Sequence, residues 1–142
     1  MPPWIAVLVV VALVSVTTLV GWALRRRESR PRRAVATGSE WLDAGARGAQ
    51  ATLVQFSTEL CTRCPQVRRM LHTIAGEADG VALAEVDLTH RADLATRLHI
   101  LQTPTVFVLD ATGAVRSRFA GVPRKDAVAA ELDRVIGDPA HV

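Results

Sequence analysis

The seven residues Glu59-Leu60-Cys61-Thr62-Arg63-Cys64-Pro65 constrain this chain more than any other stretch, because they separate two runs of different periodicity. Before them, residues 52–57 (Thr-Leu-Val-Gln-Phe-Ser) are β-branched or apolar at most positions, as a buried strand is. After them, residues 66–75 place Val67, Met70, Leu71 and Ile74 on one face of a helix, with Arg68, Arg69 and His72 on the other sides. The chain therefore passes from strand to helix at its only two cysteines. A thiol attacks a disulfide as the thiolate, and a helix N-terminus favours that ionisation through unpaired N–H groups and a partial positive charge. Cys61 falls in that field. Two intervening residues let Cys64 lie within a helical turn of it, so a mixed disulfide at Cys61 can be resolved from inside the chain. Two cysteines cannot build a multi-bridge scaffold, and this spacing points to redox chemistry rather than bracing.

Residues 4–24 are 21 consecutive uncharged positions rich in Val, Leu and Ala. As a helix they would extend about 31 Å, the thickness of a bilayer's hydrocarbon core. Trp4 and Trp22 fall near the two ends, where indole rings favour the interface. One spanning helix is expected. A cleaved signal peptide would have basic residues ahead of the apolar run and a small-residue cleavage site behind it, and neither is present. Residues 25–33 hold six Arg and one Glu, a net charge of +5. The positive-inside rule puts that cluster in the cytoplasm, so the expected protein is a single-pass cell-membrane protein with its N-terminus outside; the inverted, extracytoplasmic arrangement is the alternative. Such arginines also suit anionic lipid headgroups. The expected division is a membrane helix at 1–24, an Arg-rich linker at 25–38 that leaves the rest free to move near the membrane, and a folded domain at 39–142.

That domain has the opposite charge balance. Residues 34–142 carry ten Arg, one Lys and 13 acidic residues, a net −2, so no nucleic-acid partner is expected. The 49% hydrophobic content suffices for the core of a domain of about 100 residues. Ser39 could cap a short helix that carries Trp41 and Leu42. Residues 81–87 suggest a second strand, 92–98 a short helix with Leu94 and Leu98 inward, and 101–109 a strand interrupted near its start by Pro104. Asp110-Ala111-Thr112-Gly113 supplies a turn into an antiparallel strand at 114–119, which Gly121 breaks. Residues 125–136 form a last amphipathic helix, with Val128, Leu132, Val135 and Ile136 on its apolar face. The early strand, helix, strand, helix order implies parallel pairing with right-handed crossovers.

From about residue 51 to 136 the chain resembles the thioredoxin family. The resemblance rests on Phe56-x-x-x-x-Cys61-x-x-Cys64, the strand ending Val86-Asp87, Thr103-Pro104-Thr105 about forty residues after the cysteines, Asp110-x-x-Gly113 and Gly121. It implies an α/β thioredoxin-like fold, a mixed central sheet flanked by helices, here preceded by one membrane helix. It also implies that Cys61 is the attacking thiolate, Cys64 the resolving thiol, and Pro104 a cis-proline against the disulfide. The backbone of Thr103 would pair with a bound peptide as an added strand. No cofactor beyond the disulfide and no metal is implied. Expected partners are protein thiols and disulfides, with an electron donor such as a thioredoxin reductase or a membrane redox protein.

Departures from the common pattern fall at the site. Leu60 stands where tryptophan is usual, and Thr62-Arg63 where Gly-Pro is usual. Arg63 would favour the thiolate at Cys61 and make the pair more oxidising; a solvated arginine without influence is the alternative. The family's buried aspartate corresponds to Gln55, which cannot take up a proton, and its partner lysine to Glu85. Glu85 and Glu59 are then the candidate proton-transfer acids, weighed against two ordinary solvated carboxylates, and slower resolution is expected.

The leading function is membrane-tethered thiol–disulfide exchange on protein substrates, with Leu60, Thr62, Arg63, Thr103 and Pro104 shaping the site. Inverted topology would turn the same chemistry to extracytoplasmic exchange or cytochrome maturation. A zinc module would need two more ligands from His72, His90, His99 and His141, no pair of which has ligand spacing. A redox-inert adaptor would not need both cysteines.

Overall fold

A computed structural model describes residues 2–28, 31–33 and 38–138. In chain order the elements are α1 (Pro3–Glu28), β1 (Arg32–Arg33), a 3₁₀ turn at Ala44–Ala46, β2 (Ala51–Ser57), α2 (Cys64–Glu77), β3 (Val81–Asp87), α3 (Ala92–Arg97), β4 (Thr105–Asp110), β5 (Val115–Ala120) and α4 (Lys125–Gly137). The strands form one mixed sheet in the order β1-β5-β4-β2-β3. β2 and β3 are parallel, as the strand–helix–strand order implies, while β2–β4, β4–β5 and β1–β5 are antiparallel. β2 and β4 take the middle because they are apolar on both faces, and every residue of both is buried.

Their alternation feeds two cores. Leu53, Val106, Val108 and Phe119 meet Val67, Leu71 and Ile74 of α2 and Val128, Leu132 and Val135 of α4 on one face. Val54, Phe56, Phe107 and Leu109 meet Leu94, Leu98 and Ile100 on the other. α2 begins at Cys64, two residues earlier than the apolar periodicity suggests, because Pro65 falls in the first turn where its missing N–H costs no bond. The strand expected from residue 101 starts at Thr105, since Pro104 cannot donate to a ladder and restricts the residue before it.

Two expectations need correction. No α-helix forms from Ser39: the Leu42 N–H donates to the Ser39 carbonyl at 2.9 Å, and the chain makes a turn and the 3₁₀ segment instead. Gly45 and Gly48 weaken a helix there, and burial decides the path. Trp41 reaches Phe56 and Phe107, with ring centroids 5.3 and 6.1 Å apart, and Leu42 is buried. Nor is the linker free along its length. Arg32 and Arg33 pair with Arg118 and Ser117 of β5, covering backbone groups that an edge strand would otherwise leave open. Residues 34–37 lie outside the described residues. α1 is long and apolar enough to cross a membrane.

The β4–β5 turn depends on Gly113, which has φ +85° and whose N–H donates to the Asp110 carbonyl at 3.0 Å. A Cβ there would lie 2.4 Å from Ser39 Oγ and 2.9 Å from an Arg47 guanidinium nitrogen. Gly113→Ala is expected to cost about 1–3 kcal/mol from the left-handed backbone and this crowding. A thermal melt should show a midpoint lower by roughly 5–15 °C.

Candidate active site

β2 ends at Ser57, and α2 begins at Cys64 after six intervening residues. Within that loop the Cys61 N–H donates to the Thr58 carbonyl at 3.1 Å, making a turn that brings Cys61 to the helix start. Cys61 and Cys64 are joined as a disulfide with Cα atoms 5.5 Å apart. The two cysteines are not equivalent: Cys61 is partly exposed, whereas Cys64 is 5% exposed. Of the pair, Cys61 is therefore the more accessible residue to an incoming group. The N-terminal end of α2 supplies the positive dipole that favours thiolate at this point.

In the loop that leads into β4, the Thr103–Pro104 peptide is cis and Pro104 is buried. Thr58 Oγ1 lies 3.3 Å from Thr103 Oγ1, so the two loops are joined by hydroxyls. The Gly121 N–H donates to the Pro104 carbonyl at 2.8 Å, with Gly121 at φ +85°. Thr62 and Arg63 are exposed. Outside α1, Leu60 and Leu101 are the exposed large hydrophobic side chains among the described residues, at 90% and 96%. Both flank the loops that carry Cys61 and Pro104.

Behind the disulfide, Gln55 is wholly buried, and its Nε2 donates to the Cys64 carbonyl at 2.9 Å. Its Oε1 has no partner among the described residues. Glu85, the register neighbour of Gln55 in the parallel ladder, is not a buried acid. It accepts from Ser57 Oγ at 3.1 Å and pairs with Arg68 at 3.2 Å, its side chain 37% exposed. Glu59 is exposed, 3.8 Å from His90. The structure thus joins the loop of Cys61 to that of Thr103 and Pro104 through Thr58, and leaves both acids in solvated pairs.

Sequence reasoning passed over Thr58 and Thr89. The Glu59 N–H donates to Thr89 Oγ1 at 3.0 Å, and Thr89 in turn donates from its N–H (2.8 Å) and hydroxyl (2.5 Å) to Asp87 Oδ1. Asp-x-Thr is a recognisable side-chain turn, a signal that could have located this brace. The hydroxyl and then the backbone bond from Thr89 hold the Asp87 carboxyl below its ordinary value. A lowered folded-state pKa contributes stability above the unfolded value of 3.8, lost as pH falls through the folded one. Asp87→Asn is therefore expected to lower the melting point at pH 7, with the deficit shrinking as pH falls below 3.8, which melts across that range would check. Among the described residues no group of three or more His, Cys, Asp or Glu side chains converges as a metal site.

Comparison with known proteins gives a consistent result. Residues 33–134 match the family model described as thioredoxin. Mitochondrial thioredoxin of Bos taurus is 27% identical over 101 residues, which cover 70% of this chain and 60% of the relative. That of Mus musculus is 27% identical over 104 residues, covering 72% and 62%. The chain thus spans about three fifths of the length of these curated relatives. Among solved structures, a point mutant of the thioredoxin of Halobacterium salinarum NRC-1 superposes with a TM-score of 0.58 at 19% identity, covering 73% of this chain and 89% of that one. Chloroplastic thioredoxin z gives 0.55 at 21% identity, covering 63% and 81%. These likenesses show a shared fold.

Proposed function

The chain belongs to the thioredoxin family, and from that membership we propose that it is a membrane-tethered thiol–disulfide oxidoreductase acting on protein disulfides. The observation that carries this reading is the unequal exposure of the two disulfide-bonded cysteines at the head of α2, in a loop joined through Thr58 to that of the cis Thr103–Pro104 bond. In the reduced protein the Cys61 thiolate attacks one sulfur of a substrate disulfide, forming a mixed disulfide and expelling the other substrate sulfur as a thiolate. The Cys64 thiolate then attacks Cys61 Sγ, which releases the second substrate thiol and closes Cys61–Cys64. Two electrons pass to the substrate. An external dithiol, from a thioredoxin reductase or a membrane redox protein, returns them.

Thr103 would present its backbone to the substrate strand, and Leu60, Thr62 and Arg63 would form the opposite rim. Gln55 cannot accept the Cys64 proton, and Glu85 and Glu59 face Arg68 and His90. The proton therefore leaves to solvent or to the departing substrate thiolate, and resolution is slow for the family. Arg63 adds positive charge beside Cys61 and makes the couple more oxidising.

The proposed division is residues 1–24 in the bilayer, 25–38 at its surface and 39–142 as the redox domain. The +5 charge of residues 25–33 supports a cytoplasmic domain. Full chain that catalyses reduction of insulin disulfides by dithiothreitol, with the cysteines required, would support the activity; rates equal to dithiothreitol alone would refute it. For orientation, a cysteine at exposed Ala49 in intact cells should resist a membrane-impermeant maleimide, and labelling would place the domain outside.

A further inference from the structure

Where the end of α1 meets the sheet edge lies a cleft of about 530 Å³ that the redox chemistry does not use. Arg27 of α1, Arg32 of β1 and Arg118 of β5 line it, with His99, Leu24 and Leu101. None of its nine lining residues is acidic. Arg32 and Arg118 are direct partners in the β1–β5 ladder, a juxtaposition of like charges that is unfavourable without a counter-charge. Arg118 is also fixed: its guanidinium donates to the Leu98 carbonyl and lies 4.7 Å over the Phe107 ring. Burial first, and then the charge of Arg32, lower its pKa from the ordinary guanidinium value. Three arginines thus line one cleft, and two of them are partners across a ladder.

We propose that this cleft binds a phosphate-bearing anion, held by Arg27, Arg32 and Arg118. Planar guanidinium groups suit phosphate oxygens through paired N–H donors. The position favours the headgroup of an anionic phospholipid over a free phosphate. This choice rests on the proposed placement of α1 in the bilayer, which puts Arg27, just beyond the apolar run, at the depth of lipid headgroups, while Leu24 and the 96% exposed Leu101 give an acyl chain an apolar wall. Leu101 stands three residues before Pro104, so an occupied cleft would draw that loop to the bilayer surface and hold the disulfide face beside membrane-proximal substrates. The binding itself needs neither cysteine.

The test uses the full chain, oxidised, in a zwitterionic detergent, with binding followed by calorimetric titration. The probes are a short-chain phosphatidylglycerol, the matching phosphatidylcholine and inorganic phosphate. Phosphatidylglycerol is expected to bind, phosphatidylcholine not, and Arg32→Gln and Arg118→Gln each to weaken binding at least about fivefold, while Arg69→Gln on exposed α2 surface does not. Arg32 is exposed, so its variant tests the site even if Arg118→Gln perturbs folding. Inorganic phosphate that binds as tightly, with the same arginine dependence, would sustain the site and assign it to a soluble anion. Binding unchanged in Arg32→Gln, equally weakened in Arg69→Gln, or absent for both anionic probes would overturn the proposal.

Discussion

Cys61→Ser is expected to bring catalysed disulfide reduction down to background, a loss of at least about 10³-fold, whereas Cys64→Ser should accumulate a covalent adduct with substrate. The two variants differ because the two sulfurs differ. On the proposed mechanism Cys61, partly exposed, forms the first bond, and Cys64, enclosed at the start of α2, acts only on a sulfur already brought to Cys61. In Cys64→Ser the mixed disulfide forms but has no internal thiol to break it, so it persists until an external thiol intervenes. Non-reducing mass spectrometry after incubation with insulin should show the adduct in Cys64→Ser and none in Cys61→Ser. The reverse pattern would exchange the two roles.

Gln55→Glu is expected to have the largest effect on stability. The substitution keeps the shape of the side chain but puts a carboxyl where the residue is wholly buried, beside the register neighbour Glu85. Desolvation and a like charge both raise a carboxylate pKa, here by about 3 units or more above the unfolded value near 4.3, which is on the order of 4 kcal/mol against folding at neutral pH. The sign follows from the raised folded-state pKa: the penalty is absent below the unfolded value, grows as pH rises toward the folded value, and is constant above it. Denaturant unfolding at pH 4 and pH 8 should show the variant close to wild type at the first and well below it at the second. Against a typical total of about 5–15 kcal/mol this is a large fraction. The same carboxylate would accept the Cys64 proton, so the mixed disulfide should resolve faster as the fold weakens. Equal stability deficits at both pH values would show that the new group does not titrate in the buried position.

What the sequence disclosed was whatever depends on local pattern. β2, α2, β3, α3 and α4 lie within a residue or two of their periodic runs, because burial on a sheet or helix face imposes a repeat that can be counted. Cys61, Cys64 and the cis Thr103–Pro104 bond were found from spacing and family likeness. What it hid depends on distant partners. Trp41 was assigned to a helix because its attraction to Phe56 and Phe107 is not written near it in the chain. Arg32 and Arg33 read as free linker because a two-residue strand has no period, and their partner β5 lies more than eighty residues on. The partners of Glu85, Arg68 and Ser57, likewise lie 17 and 28 residues away in the chain. The hydroxyl pair Thr58–Thr103, separated by 45 residues, belongs to the same class.

All of these elements serve one claim, that Cys61 and Cys64 cycle between dithiol and disulfide in exchange with other thiols. Equilibrating the full chain in glutathione buffers of graded ratio, then counting alkylated cysteines by mass, measures that cycle directly. A reversible two-electron transition with both thiols changing together, at a potential above about −300 mV, is the predicted result. A bond that stays oxidised across the whole range, as a structural disulfide does, would contradict the account.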